Sequence, residues 1–594
     1  MQLTLDYKRT CNCGALRKED VGKSVALSGW VHKRRDLGGL IFIDLRDRWG
    51  LTQIIFHPET AESSYALAKT LRHEWVIHIK GEVRAREAGM ENKDHATGSI
   101  EVSALHLHVL SESKTPPFSL FEDLSQISED LRLEYRYLDI RAGRVASLLE
   151  IRHRAMMIVR SFLDQREFIE VNTPILGKST PEGARDYLVP SRIFPSSFYA
   201  LPQSPQIFKQ LLMLAGMDRY FQIAPCFRDE DLRSDRQPEF MQIDIEMSFL
   251  TFDDLKEMIE TMLNKVFKET VDVKLPPFQV IDYSTCIENY GTDRPDLRFA
   301  MNLVRVDDLA KRCKFSVFSK IVAEGGIVKG ICVKNGASFS RKTVDQYTEF
   351  VSHFGLKGLA FAKVENGTTL ASGVSKFFTA QEHLELIKSF NAAEGDLLLF
   401  AASREKIVNQ SLDHLRRKIA ADTHLLNTPA YAPLWVVDFP LFEEDETTGR
   451  LKSVHHPFTS PCPEDLDKLE TSPLEVKSIG YDVVINGYEL GGGSQRIHDP
   501  KLQKTIFEKL NLSPESIEEK FGFFVRAMQY GAPPHLGIAL GVERLVMLLG
   551  KTTNIKDVVA FPKNLKASDL MMKTPSTVDD EQLKELGLDF RVKK

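Results

Sequence analysis

Cysteine is scarce in this chain. Seven in 594 residues, odd in number and scattered, exclude a disulfide framework as the means of holding so long a chain together. Cys11 and Cys13 form a C-x-C pair, but no second Cys or His pair follows at zinc spacing, so they read as small buried residues. No stretch approaches the roughly eighteen apolar residues that a membrane span needs, and the opening "MQLTLDYKRTCNCG" has no apolar run of signal-peptide length. A cytoplasmic protein without a membrane partner is expected. Basic charge is not in excess either: 77 Lys and Arg stand against 83 Asp and Glu, for a net charge of −6, so any nucleic acid must be met by local patches. There is no G-x-x-x-x-G-K-[ST] loop, no dinucleotide fingerprint, no Ser/His/Asp or Cys/His set and no internal repeat. A bound nucleotide would need another device, and no side chain offers itself as a covalent nucleophile.

What is present implies several domains, since the length exceeds what one hydrophobic core supports. The class expected is α+β and multidomain. Between Val25 and Val109, the runs "VALSGWVH", "LIFIDLRD", "LTQIIF", "WVIHIKGEVRAR" and "IEVSALHLHVL", with a helical stretch from Ala61 to His73, predict a small Greek-key barrel of the oligonucleotide-binding (OB) type. In "LIFIDLRD", Phe42 falls on the opposite face from Ile41 and Ile43. Lys33, Arg34, Arg35, Arg46 and Arg48 are nearby, and Gln53 is on the next strand. An aromatic among guanidinium groups and an amide suits unstacked bases. "SESKTPPFSLFEDLSQISED" reads as a linker, and Leu131 to Phe168 as helical, closed by a strand in "FIEVNTPIL". A helix is expected around Asp253 to Glu269. From Asp296 to about residue 430 the composition changes and catalytic-looking groups thin out, as in an inserted domain. A strand-rich pattern returns from "LWVVDFPLF" to "GVERLVMLLG", and a polar tail follows.

The chemically dense segments flank that insert. "RYFQIAPCF" and "FMQIDIEMSF" read as an antiparallel pair joined by a loop bearing Arg228, Asp229, Glu230, Asp231, Arg233, Asp235 and Arg236. The second strand should be half-buried, with Ile243, Ile245, Met247 and Phe249 inward and Gln242, Asp244, Glu246 and Ser248 outward. "STPEGARDYLVPS" suits a mobile loop. "ALPQSPQIFKQLLM" puts Ser204 at a helix start, where a plain cap is the simplest role, with Gln206 and Lys209 on one helical face. In "YDVVINGYELGGGSQRIHD", Asp482 and Glu489 are oxygen donors able to flank a divalent cation, and three glycines precede Arg496. Arg544 opens a short apolar helix, where a cation is unfavourable unless an anion shares the site. Arg228 and Arg544 offer two forks for phosphate oxygens, and Phe240 a face for a flat base.

In these residues the chain resembles the class II aminoacyl-tRNA synthetases, and within them the bacterial aspartyl branch. "FIEVNTPIL" looks like motif 1, "FRDEDLRSDRQPEF" like motif 2 and "GVERLVMLLG" like motif 3. The resemblance spans nearly the whole chain. It implies an OB-fold anticodon-binding domain at 1–112, a linker at 113–145 and a catalytic domain split into 146–295 and 431–562. It also implies an inserted domain at 296–430, similar to one shared with an amidotransferase subunit, and an extension at 563–594. The implied catalytic sheet is antiparallel with flanking helices, the implied assembly a homodimer built through motif 1. The implied reaction is activation of L-aspartate by ATP, with Mg²⁺, to aspartyl-adenylate and pyrophosphate, then transfer to the 3′ end of tRNA-Asp, with tRNA-Asn open as a second acceptor.

By the same resemblance, Arg228, Glu489 and Arg544 are catalytic, and ATP is met by Arg228, Asp229, Glu230, Gln237, Phe240, Glu489, Gly541, Val542, Glu543 and Arg544. Asp482 and Glu489 would hold the metal. Arg496 and Lys209, oriented by Asp244, would bind the substrate's side-chain carboxylate. Ser204, Arg228, Gln206, Glu182 and His455 or His456 would close over the rest of the amino acid. Arg35, Phe42, Gln53, Arg86 and Glu101 would read the anticodon. Two hints bear on tRNA choice. Leu37 in "KRRDLGG" stands where relatives that also charge tRNA-Asn often carry histidine, whereas Gly89 in "REAGMEN" resembles those less selective relatives. The alternative is an RNA-binding protein that has lost activity, which predicts damage at Arg228, Glu489, Arg496 or Arg544. A ligase making free asparagine would leave the barrel unexplained.

Overall fold

The computed structural model describes residues 7–180, 183–427 and 429–589. The chain divides into two compact units, one of residues up to Ser147 together with Asp569–Thr574, the other of the remainder.

The first unit is built on a closed five-stranded barrel of Ser24–Leu37, Leu40–Asp47, Gly50–Phe56, Ile100–Ser111 and Val76–Ala85, in that order round the barrel. Alternation within the strands fills it: Ile41, Ile43 and Leu45 point inward with no exposure, while Phe42 and Asp44 face out. The predicted helix is shorter than its pattern, Glu62–Ala68. The segment read as a linker is more ordered than its Ser, Pro and acid content suggests. Its Phe118 and Leu120 form an apolar cluster with Leu138, and the segment expected to be helical opens with two short helices, Glu129–Glu134 and Arg136–Arg141. Arg141 reaches the buried Glu74 of the barrel at 3.2 Å.

The second unit is organised on an eight-stranded sheet. Its order is Gln279–Asp282, Pro433–Val437, Gly480–Ile485, Tyr488–Gln495, His535–Gly541, Glu239–Ser248, Arg219–Phe227 and Ile169–Glu170. The six inner strands are antiparallel, and each edge strand is short and parallel to its neighbour. The strand expected in "FIEVNTPIL" is therefore only two residues long. Helices Arg144–Asp164, Phe252–Val271 and Val542–Leu549 cover one face. Ile243, Ile245, Met247, Trp435 and Leu540 of the sheet pack there against Val159, Ile259, Leu263 and Val546. The helix Phe252–Val271 starts at a capping box, Thr251 with Asp254, which satisfies its first amide donors.

Residues 304–403 form a separate five-stranded sheet with its own apolar clusters, inserted between strands of the large sheet. The helix Glu405–Asp422 packs against it through Leu412, Leu415 and Ile419.

Two expectations about the second strand of the charged hairpin are corrected. Its polar face is not exposed: Asp244 and Glu246 have no accessible surface. Phe249 lies past the strand with φ +59° and is 68% exposed, so it does not join the core face.

Candidate active site

The uncovered face of the large sheet floors a cavity of about 420 Å³, whose walls come from the charged hairpin, the helix Gln206–Leu214, the glycine strand and the start of the helix Val542–Leu549. Of the segments that looked chemically dense, all but Ser179–Ser191, which gives no lining residue among those described, meet here because the central strands are neighbours in space though distant in sequence.

At one end stands a buried four-charge cluster. Lys209 donates to Asp244 at 2.6 Å and lies 3.3 Å from Glu246. Arg496 forms a fork on Glu246, Nε to Oε1 at 2.8 Å and Nη2 to Oε2 at 3.0 Å, and also donates to Ser494 at 2.6 Å. Burying charges is tolerated only when they are paired and hydrogen-bonded, as these are. Burial raises the Asp244 carboxyl to about 6, against the pull of Lys209, and one of its oxygens has no partner. Burial would raise Glu246 too, but Arg496 and Lys209 outweigh it and hold that carboxyl at about 2. Glu246 was not singled out in the sequence, although its alternation with Asp244 marked it. The expectation that Asp244 orients both cations is corrected: Asp244 holds Lys209 and Glu246 holds Arg496. Close approach demands glycine at 537, because a Cβ there would collide with the Glu246 carboxylate.

Beside this cluster, His456 lies 2.7 Å from Nη1 of Arg496, and burial with that neighbouring charge keeps its ring well below the usual range, hence neutral. His455 instead faces Asp482 at 3.4 Å. Gln206 and Ser204 line the cavity. The Gln206 amide nitrogen is buried without a partner, and Pro205 rather than Ser204 stands at the helix cap.

The middle of the cavity belongs to the hairpin. Arg228 follows the strand Arg219–Phe227, and its amide closes the loop on the Pro238 carbonyl at 2.8 Å. Its guanidinium lies over the Phe240 ring at 5.1 Å, and its Nε is buried with no partner. Glu230 is bound by Arg236 at 2.8 Å. Gln237 lines the wall, but both ends of its amide are engaged by the Lys563 backbone, at 2.8 and 3.0 Å.

At the far end, Arg544 donates to the Glu489 carbonyl at 2.6 Å and lies 3.8 Å from its carboxylate and 3.6 Å from Asp235. Asp482 is on the adjoining strand, opposite Gly492, where a Cβ would collide with its carboxylate. The glycines therefore admit a protein carboxylate as well as lining the cavity. Burial raises Asp482 to about 6, with the Glu489 charge adding to it and His455 opposing. Asp293, absent from the sequence reading, also lines this end, and burial and Glu489 raise its carboxyl.

Not every expected residue reaches the cavity wall. Asp229 faces Arg185 at 3.6 Å and is half exposed. Val542 has its side chain in the apolar core. Asp244 lies beneath the wall. Glu543 lines the cavity but is anchored by Arg152 at 2.7 Å and the Met241 amide at 3.0 Å. Glu182 lies outside the described residues.

On the barrel, Arg35 donates to Asp44 at 2.8 Å and Gln53 at 3.1 Å, Gln53 donates to Glu101 at 2.8 Å, and Arg86 shares the field of Glu101. Phe42 is in register with Arg35. Arg46 faces outward like Phe42 and Asp44, but farther along the strand, where Glu74 binds it at 2.8 and 3.1 Å. Leu37 is 59% exposed at its strand end, and Gly89 occupies a turn at φ +87° that only glycine adopts readily.

A family profile described as tRNA synthetases class II (D, K and N) matches residues 128–565, and one described as OB-fold nucleic acid binding domain matches 25–110. The chain belongs to the class II tRNA synthetases. Within this family it is similar, at 57% identity over 99% of this chain and 98% of the other, to a protein of Protochlamydia amoebophila strain UWE25 named aspartate–tRNA(Asp/Asn) ligase. Proteins of the same name from Chlamydia pneumoniae and Bacillus subtilis strain 168 are 52% and 50% identical, over 98% and 99% of this chain and 99% of each of theirs. Among solved structures, an asparaginyl-tRNA synthetase from Pyrococcus horikoshii complexed with asparaginyl-adenylate superposes with TM-score 0.58, 20% identity, and coverage of 93% of this chain and 97% of the other. An aspartyl tRNA synthetase from Entamoeba histolytica does so with TM-score 0.56 and 18% identity, covering 92% and 90%. At these identities the two synthetase structures speak to the fold of this family member.

Proposed function

We propose that this chain is an aspartate–tRNA ligase that activates L-aspartate with ATP and transfers it to both tRNA-Asp and tRNA-Asn. The observation that carries the reading is the pair of buried cations, Lys209 and Arg496, each anchored on its own acid at one end of a cavity whose middle and far end present Arg228 and Arg544. Two positioned cations accept a side-chain carboxylate, whereas the neutral amide of asparagine leaves buried charge unsatisfied. Gln206 and Ser204 complete the amino-acid end, and Arg228 packed on Phe240 faces the α-phosphate with adenine beside the ring. The substrate's α-carboxylate attacks the α-phosphorus and pyrophosphate leaves. A tRNA terminal ribose hydroxyl then attacks the adenylate carbonyl and AMP leaves. Positioning and charge stabilisation supply the rate, because the site holds no nucleophile.

Asp482 and Glu489 are hard oxygen donors, and no group of three or more His, Cys, Asp or Glu able to hold a metal occurs among the described residues. That donor set fits Mg²⁺, which takes one or two carboxylates and completes its shell with phosphate and water. Bound there, Mg²⁺ would offset phosphate charge.

The barrel face of Arg35, Phe42, Gln53, Arg86 and Glu101 takes anticodon bases. Charging of both tRNAs is supported by the names of the 50–57% identical relatives and by Gly89. A homodimer is supported by exposed Ile169, Ile175 and Leu176 in motif 1. No helix among the described residues is long and apolar enough to cross a membrane; the proposed location is the cytoplasm. The test is aspartate charging of tRNA-Asp and tRNA-Asn in separate reactions by the purified protein. Charging of both is expected, charging of tRNA-Asp alone refutes the dual specificity, and charging of neither by folded protein refutes the reading.

A further inference from the structure

We propose that Arg294 is a positioning residue that keeps Arg544 available to ATP, and that the inserted region acts on the active site through it. The inference rests on the reading of Arg544 as a grip on a nucleotide phosphate. Asp235 of the charged loop stands between two guanidinium groups, with its Oδ2 3.6 Å from Nη2 of Arg544 and 3.7 Å from Nη1 of Arg294. All three side chains are largely buried, and Asp235 and Arg544 line the cavity. A carboxylate beside a phosphate-binding arginine is a competitor: given freedom, it forms a bidentate pair and fills the fork that the phosphate needs. Shared between two cations, Asp235 is held short of that pairing.

Arg294 owes its place to the insert. It belongs to the segment 291–301 that enters the inserted region, and the helix Glu405–Asp422 grips that segment. Fully buried Arg416 donates to the carbonyls of Asp296 at 3.1 Å and Met301 at 2.9 Å, and packs on Phe299 at 4.4 Å. Gly291, at φ +73°, approaches the Asn409 backbone so closely that a Cβ would collide with it. On the other side, Gly487, in the turn leading to Glu489, lies against Asp296, whose Cβ would be 3.3 Å from an added methyl. The helix therefore fixes Arg294, which restrains Asp235 and thereby frees Arg544.

The test uses the full chain and aspartate-dependent ATP–pyrophosphate exchange. Arg294→Ala should raise the KM for ATP about 5-fold or more, with a smaller effect on kcat, the KM for aspartate within about 2-fold and thermal unfolding little changed. Arg294→Lys should restore most of the loss. Adding Asp235→Asn to Arg294→Ala should return the KM for ATP toward the wild-type value, because an amide cannot compete for the fork as an ion; a merely structural role for Arg294 gives no such rescue. In the Asp235→Asn background, Arg294→Ala should raise that KM by much less than it does in the native background. An unchanged KM for ATP in Arg294→Ala, a failed rescue, or an equal further rise when Arg294→Ala is added to Asp235→Asn overturns the inference while leaving the activity assigned above intact. Absence of exchange in the unmodified protein overturns both.

Discussion

Replacing Glu246 by glutamine removes one charge from the deepest part of the site and keeps nearly the same shape. In the native chain two cations, Lys209 and Arg496, are balanced by two acids, with side-chain exposures of 3% or less. Glutamine keeps one acceptor for Arg496, but its amide nitrogen then meets a donor. Breaking a buried pair from one side costs about 3–5 kcal/mol; because Asp244 still neutralises Lys209, about 3 kcal/mol is the reasonable figure. At roughly 2 cal/mol/K of unfolding entropy per residue, a unit of some 440 residues has about 0.9 kcal/mol/K, so Tm should fall by about 3 °C. The pH dependence follows from the lowered carboxyl. A group at about 2 when folded and near 4.5 when unfolded contributes stability above pH 4.5 and loses it as pH falls toward 2. The deficit of Glu246→Gln should accordingly be level above about pH 7, where Asp244 is ionised as well. Function should suffer more, since the fork that places Arg496 is gone and a shift of about 1 Å costs on the order of 100-fold. Differential scanning calorimetry and exchange kinetics at varied aspartate decide it. A variant melting with the wild type and showing an unchanged KM for aspartate would refute the claim that Glu246 positions Arg496.

Further outcomes are expected from other parts of the molecule. Arg228→Ala should lower kcat for exchange about 100-fold or more while Tm moves by less than about 1 °C, because its buried Nε has no protein partner to lose; an equal loss of stability would contradict this. Activation by Mg²⁺ should weaken as pH drops below about 6, since Asp482 takes up a proton there and a protonated carboxyl is a poor ligand; Asp482→Asn should need more Mg²⁺ at every pH, and a metal requirement insensitive to both would remove Asp482 from the metal site. Phe42→Ala should raise the KM for tRNA about 10-fold, as a lost base stack costs about 1–3 kcal/mol, and leave ATP–pyrophosphate exchange untouched; an effect on exchange would show that Phe42 does not act on tRNA alone.

Much of this was legible in the sequence because the signals are local. Period-2 alternation within "LIFIDLRD" and the other short runs marked the barrel strands, and "FRDEDLRSDRQPEF" declared the hairpin before any partner was known. Such patterns depend on which side of a strand meets water, and they mislead where both sides are buried. The strand Glu239–Ser248 looked half-exposed because Asp244 and Glu246 are acids; only the helix Gln206–Leu214, which brings Lys209 onto that face, and Arg496 at the end of the glycine strand of the same sheet turn it into a buried site. The linker misled in the opposite direction, its polar composition concealing Phe118 and Leu120, which pack with Leu138 of the following helix.

The sequence by itself therefore determined the elements, the barrel, the inventory of arginines and acids and, through its motifs, the family, all properties set within a few residues or carried by composition. Tertiary structure decided the pairings. That Glu246 rather than Asp244 carries Arg496, that His456 and not His455 touches that arginine, and that Arg294 shares Asp235 with Arg544 are contacts across 40 to 309 residues of chain. No periodicity encodes a contact of that range, because it depends on which strands become neighbours and at what register, and that is settled only when the sheet closes over its common core.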